Sequence, residues 1–292
     1  MVMFSGASIG LSNRIATVAL YGTLLLYLAI GVSLESLRRQ INHQAELEAG
    51  RQVVHNISLL HDQVRQFARD YNNWGDVYQA IIDKDFEFVS NNYGITAVNG
   101  DMFDRAVIYD GLLKDPLAWN STGTRAPHQS SLSTWALEQI RLGVDRLPRE
   151  GRATFDFAIL KDGEVQFGSA SRILPDTEEA LATANRDEAS IGAILRTVTN
   201  AQLTDIATSS NVTDLRLSKS LRNPAIATPL IGVDGRPIAY LDWIPPHPGN
   251  ELLSHIAPII ALIFIVLGGV GIGGARLLRD HANTLALRED DA

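Results

Sequence analysis

Residues Val53 to Tyr78 read VVHNISLLHDQVRQFARDYNNWGDVY. The large apolar side chains in this stretch are Val53, Ile57, Leu60, Val64, Phe67, Tyr71, Trp74 and Tyr78, spaced four and three apart. That alternation is a heptad seam, which keeps one continuous apolar stripe on one side of an α-helix. Arg51, Gln52, His55, Asn56, Gln63 and Gln66 leave the other faces polar, so the stripe is narrow. The spacing predicts a helical rod. Before Phe67 its stripe Val53, Ile57, Leu60, Val64 and Phe67 is expected to pair with another chain, as a dimer and signalling seam. The seam ends in aromatic rings, and stripes of that kind mostly build core. Tyr71, Trp74 and Tyr78 are therefore expected first to seal the helix onto a domain. Gly75 costs about 1 kcal/mol relative to Ala in a helix interior, so a bend or end is expected there.

The rod begins close to an uncharged run, Ile15 to Leu34, and a second run spans Ile256 to Ala275. Each is about 20 residues, the length of helix that crosses a bilayer core of about 30 Å. The expected organisation is an N-terminal tail at 1–14, a transmembrane helix at 15–34 and a domain with its helical stalk at 35–255. A second transmembrane helix at 256–275 and a short charged tail at 276–292 follow, with no output domain. Gly269 and Gly273 in the second run have the small-xxx-small spacing that lets helices approach closely in lipid. The Arg and Lys count slightly favours both termini in the cytoplasm, which places 35–255 outside it, in the periplasm of an inner-membrane protein.

Between the runs the periodicity changes at about Arg105. Asp110-Gly111, Asp162-Gly163 and Asp234-Gly235 each sit between β-prone segments, and Asp-Gly supplies the positive φ angles of tight hairpins. Three hairpins predict one antiparallel sheet of five or six strands, with helices near Ser133–Val144 and Ala189–Ala207. Pro245, Pro246 and Pro248 end the last strand, because proline cannot donate to a ladder. The fold class is α+β: a long N-terminal helix packed on an antiparallel sheet, flanked by two transmembrane helices.

Several chemistries are excluded. The net charge of −8 and the lack of a basic cluster argue against nucleic acid as a partner. The chain has no cysteine, so disulfides, thiolate metal sites and a cysteine nucleophile are absent. The seven histidines show no metal-ligand spacing, and no metal or cofactor is expected. Gly6-Ala7-Ser8-Ile9-Gly10 fits G-x-S-x-G, but no strand precedes it as a nucleophile elbow requires. No enzyme is expected.

The cluster Asp70-Tyr71-x-x-Trp74-x-Asp76-x-Tyr78 resembles the fourth CHASE-type family of extracytoplasmic sensor domains in bacterial and archaeal receptors. Asn91 or Asn92, the Ala106–Tyr109 strand before Asp110-Gly111, and Trp243-x-Pro245-x-x-Pro248-Gly249 extend the likeness. The resemblance implies a PAS- or Cache-like fold and a sensory role, with Asp70, Tyr71, Trp74, Asp76 and Tyr78 as ligand-binding candidates. It also implies outputs such as cyclic-di-GMP turnover or histidine kinase activity. The family carries an acid directly after the Trp, where this chain has Gly75. The expected function is an input module that detects a small molecule or envelope state and signals through paired helices. Its expected partners are a small-molecule ligand, membrane lipid, a second copy in a homodimer and a cytoplasmic effector acting in trans. Two rivals stand beside it: the N-terminal part of a cyclase, phosphodiesterase or kinase receptor, and an envelope adaptor that binds no ligand.

Overall fold

A computed structural model describes residues 5–100, 102–111, 113, 115–121, 132–148, 152–161, 163–184, 189–220 and 227–290. The chain divides into two compact units, Ala49–Pro245 and a second made of Met1–Glu48 with Pro246–Ala292.

Helix α1, Ser5–Asn72, belongs to both units. In the larger unit it is followed by α2 (Gly75–Ile82), α3 (Phe86–Val89), a π-helical turn (Ser90–Gly94) and α4 (Ile95–Asn99). Strands β1 (Arg105–Tyr109) and β2 (Leu117–Asn120), helix α5 (Thr134–Asp145), and strands β3 (Phe155–Lys161) and β4 (Glu164–Arg172) come next. Then follow α6 (Glu178–Thr183), β5 (Ile191–Thr197), α7 (Asn200–Ser209), β6 (Thr213–Ser218), β7 (Thr228–Ile231) and β8 (Pro237–Ile244). The strands form two antiparallel sheets, one of five in the order β2-β1-β5-β4-β3 and one of three in the order β6-β8-β7. This is the expected α+β class, a long helix on antiparallel sheet, but one sheet of five or six strands becomes two. A parallel bridge between Ala158 and Gly232 joins them.

The five-stranded sheet is covered on both faces, so its side chains divide by parity. Ala106, Ile108, Val165, Phe167 and Ile194 face α1, whereas Val107, Tyr109, Phe157, Ala170, Ile191, Ala193 and Leu195 face α5. This explains the error at 189–207, expected as one helix. Strand β5 is buried on both faces, so its apolar residues run on without alternating. The helix starts only at Asn200, where Thr199 and Gln202 form a capping box.

The hairpin expected at Asp162-Gly163 joins β3 to β4, with Lys161 opposite Glu164 and Gly163 at φ +87°; Asp162 itself lies outside the described residues. Asp234-Gly235 joins β7 to β8, with Gly235 at φ +78°. At Asp110-Gly111 both residues have positive φ, but the partner strand starts later than expected, at Leu117.

The seam is not a free surface. Val53, Ile57 and Val64 are buried in this chain's own core, and Leu60 and Phe67 pack against it. The stripe expected to meet a second chain is covered by the domain's own sheets. Nor is Val53–Tyr78 one helix. It stops at Asn72, Trp74 is extended (φ −93°, ψ 109°), and α2 begins at Gly75.

In the smaller unit, α1 meets α8 (Pro248–Asp290). The Tyr27 ring stacks on Phe264 at 4.2 Å, and its hydroxyl donates to the Phe264 carbonyl at 2.9 Å. Asn42 accepts from the backbone N–H of Gly249 at 2.8 Å and donates to Asn250 Oδ1, which also accepts from Arg38. A Cβ on Gly249 would lie 2.6 Å from the Arg38 carbonyl oxygen, so only glycine fits this crossing. Arg38 and Arg39 hold the Glu35 carboxyl well below its usual range, at about 2. Within α8, Pro248–Gly274 is long and apolar enough to cross a membrane, and it is the one such segment found among the described residues. The run 15–34 lies within α1, where Val18, Leu24, Leu25, Leu28 and Val32 are exposed.

Candidate functional site

The end of α1 is organised by a residue that the apolar pattern does not mark. Asn72 is fully buried. Its amide donates to Ser171 Oγ at 3.0 Å and to the Gly192 carbonyl at 2.9 Å, and its oxygen accepts from the Tyr93 hydroxyl at 2.8 Å. The Asn72 carbonyl accepts from Leu174 N, so this residue ties the helix terminus to β4, β5 and the π-helical turn together. Burial pushes the Tyr93 phenol far above its ordinary range, keeping it a neutral donor. Gly192 has no side chain because Asn72 occupies that space.

Around this anchor the expected ligand-binding residues separate. Tyr71 is half-buried, edge-on to Tyr93 (5.6 Å) and Phe103 (5.2 Å), with its hydroxyl 3.0 Å from Thr96 Oγ1. Trp74 meets Phe88 edge-on at 6.4 Å, and Tyr78 packs against the same core. These three rings seal the helix onto the domain. Asp70 and Asp76 are exposed, on the last turn of α1 and the first of α2. The side chain of Asp176 stands over the bare Cα of Gly75, where the CHASE-type pattern carries its acid. Of the other residues carrying that resemblance, Asn92 donates back to the Phe88 carbonyl and Trp243 is buried in β8.

An open cleft lies elsewhere. A cleft of about 720 Å³ is bounded by Val54, Ile57, Ser58 and His61 of α1, and by Gln139, Leu142, Gly143, Arg146 and Leu147 on and just beyond α5. Phe155–Ala158 of β3, Phe167, and the β7 strand with its turn, residues 228–235, complete it. None of Asp70, Tyr71, Trp74, Asp76 and Tyr78 lines it; of the seam residues, Ile57 does. The volume falls within the range of small-molecule sites, about 300–1,000 Å³.

The cleft's polar groups are ordered by their neighbours. The His61 ring stacks on Phe167 at 4.9 Å, and its Nε2 lies 3.2 Å from the Gly168 carbonyl, which can only accept. Nε2 is therefore the donor in this contact. Asp156 accepts from Arg65 at 2.5 Å and from Ser169 at 2.7 Å, pinning α1 to the edge of the sheet. Burial lowers the Arg65 pKa, and the hydrogen bond and charge of Asp156 more than offset it, so the guanidinium is held firmly charged. Asp234 Oδ1 accepts from its own turn, at Arg236 N. Among the described residues of the cleft no nucleophile is paired with a base: Ser58 Oγ donates to the His55 carbonyl and His61 Nε2 faces the Gly168 carbonyl.

This cleft escaped the sequence reading because five separated segments build it. No local spacing marks it. Only the i, i+3, i+4, i+7 face of Gln139, Leu142, Gly143 and Arg146 leaves a trace.

Two solved structures are similar in fold. The periplasmic domain of LuxQ from Vibrio cholerae is 11% identical with a TM-score of 0.38, covering 71% of this chain and 99% of that one. The periplasmic sensory domain of the Campylobacter jejuni chemoreceptor Tlp1 is 9% identical with a TM-score of 0.37, covering 72% and 97%. No protein-family model matches the chain, and no curated protein matches it. The CHASE-type resemblance is carried by the quoted residues alone.

Proposed function

We propose that the chain is a membrane-anchored sensory module whose larger unit binds a small molecule outside the cytoplasm and passes the event to its apolar helices. The observation that carries this reading is the composition of the cleft. It is walled on one side by α1, the helix that contains 15–34, and on another by the β7–β8 hairpin, whose second strand ends three residues before α8. A molecule in the cleft touches both routes to the apolar segments. Closure around it would bias one arrangement of those routes over another, which is all that signalling by a bound ligand requires. The membrane part rests on length and exposure. Unburied Leu, Val and Ile side chains on α1 before Glu35 and along α8 form apolar surface that water penalises and lipid does not.

A chain without cysteines makes the test direct. A Ser58→Cys protein in intact bacterial cells should react with a membrane-impermeant maleimide, and a compound that fills the cleft should slow that reaction. Labelling that appears only after lysis would overturn the location. A rate unmoved by every member of a broad metabolite panel would overturn the sensor reading.

A further inference from the structure

We infer that the cleft takes an organic anion, a molecule with one carboxylate or similar acid group on an apolar body; this rests on the sensory reading. The walls supply the apolar half. Leu142, Leu147, Phe155 and Phe157 face the volume, and Gly143 leaves the α5 side bare enough for the Phe155 ring to lie against it, 2.5 Å from where a Cβ would stand. The charge balance supplies the other half. Each described carboxylate at or beside the cleft is already engaged: Asp156 by Arg65 and Ser169, Asp145 by Arg141 and Arg172, and Asp234 by Arg236.

Arg146 makes no ion pair or side-chain hydrogen bond among the described residues, yet it lies on the cleft wall at the end of α5. Gln139, two turns earlier on the same face, likewise has no side-chain partner among them. A guanidinium is always charged and presents a planar fork of donors that matches a carboxylate, so the unmatched group here selects an anion. Among the described residues a cation would meet only neutralised acids. A neutral molecule would gain the apolar walls and leave Arg146 unanswered.

Phenylacetate, phenylacetamide and phenethylamine share one body and differ in charge, and they serve as probes on the full chain in lipid nanodiscs. Saturation-transfer NMR titration should show phenylacetate binding about tenfold more tightly than the amide, a preference that one charge-assisted pair provides. Phenethylamine should bind weakest. Arg146→Gln should erase the preference, and Arg69→Gln, at an exposed arginine outside the cleft, should leave it intact. Equal binding of acid and amide, or a preference that survives Arg146→Gln, overturns the inference. If acid and amide bind equally and both are lost in Ser58→Trp, the cleft stands as a ligand site and only the anion falls. Binding by none of the three at millimolar concentration overturns the anion. The Ser58→Cys protection then decides the sensory reading on its own.

Discussion

Asn72 carries more of the architecture than any member of the aromatic motif around it. Its side chain satisfies three buried groups at once, so truncation strands the Tyr93 hydroxyl, Ser171 Oγ and the Gly192 carbonyl. Asn72→Ala should therefore cost about 3 kcal/mol, read from urea unfolding of the full chain. Asp70→Ala, at an exposed position two residues earlier, should fall within about 0.5 kcal/mol of the parent. The sequence showed this residue but not its weight. In the run Asp70 to Tyr78 the rings stood out by spacing, whereas a single Asn beside another Asn reads as polar surface. What distinguishes the two is which one points at a sheet more than 90 residues away in the chain, and no local pattern records that. Arg146 was hidden in the same way. Its importance is that no described carboxylate is left to pair with it, which holds only once the surrounding acids have found their partners.

At the scale of elements, legibility followed burial. Helix α5 alternated apolar and polar faces and was read within a residue at each end. The Asp-Gly turns at 162–163 and 234–235 marked their hairpins because positive φ leaves a chemical trace. Strand β5, covered on both sides, had no alternation to read. The heptad seam packs on this chain's own core, and its spacing alone does not tell a sheet from a second helix, since both demand a narrow apolar face. The sheet's own packing offers a sharp test. Gly168 on β4 lies opposite Phe157 on β3, and the Phe157 ring covers the bare Cα so closely that a Cβ has no room. Gly168→Ala forces that buried ring off its rotamer and should cost about 1–3 kcal/mol, measured by the midpoint of denaturant unfolding. Gly163→Ala in the adjoining turn meets no neighbour but a φ of +87°, and its smaller loss would be purely conformational.

At the scale of the whole chain, the first and last long helices meet where Asn42 caps Gly249, a pairing of residues 207 positions apart. Neither composition nor periodicity announces it; the prolines at 245, 246 and 248 told only that the last strand must end. Gly249→Ala drives a methyl group against the Arg38 carbonyl, and a backbone atom cannot swing aside. Thermal unfolding in nanodiscs should report a loss of about 1–2 kcal/mol, the overpacking cost less the gain in helix propensity. Gly269→Ala, with open space around its Cβ, should be neutral. A loss there would reveal a helix that a single chain does not supply. The join between the two sheets has its own consequence. Ala158 and Gly232 form a ladder with a single rung, so the burial of Leu230, Ala239, Leu241 and Trp243 in the shared core holds the small sheet more than backbone pairing does. The hold of the small sheet on the large one is therefore apolar and not directional. The three residues after β8, two of them proline, form a stiff segment that cannot extend the sheet.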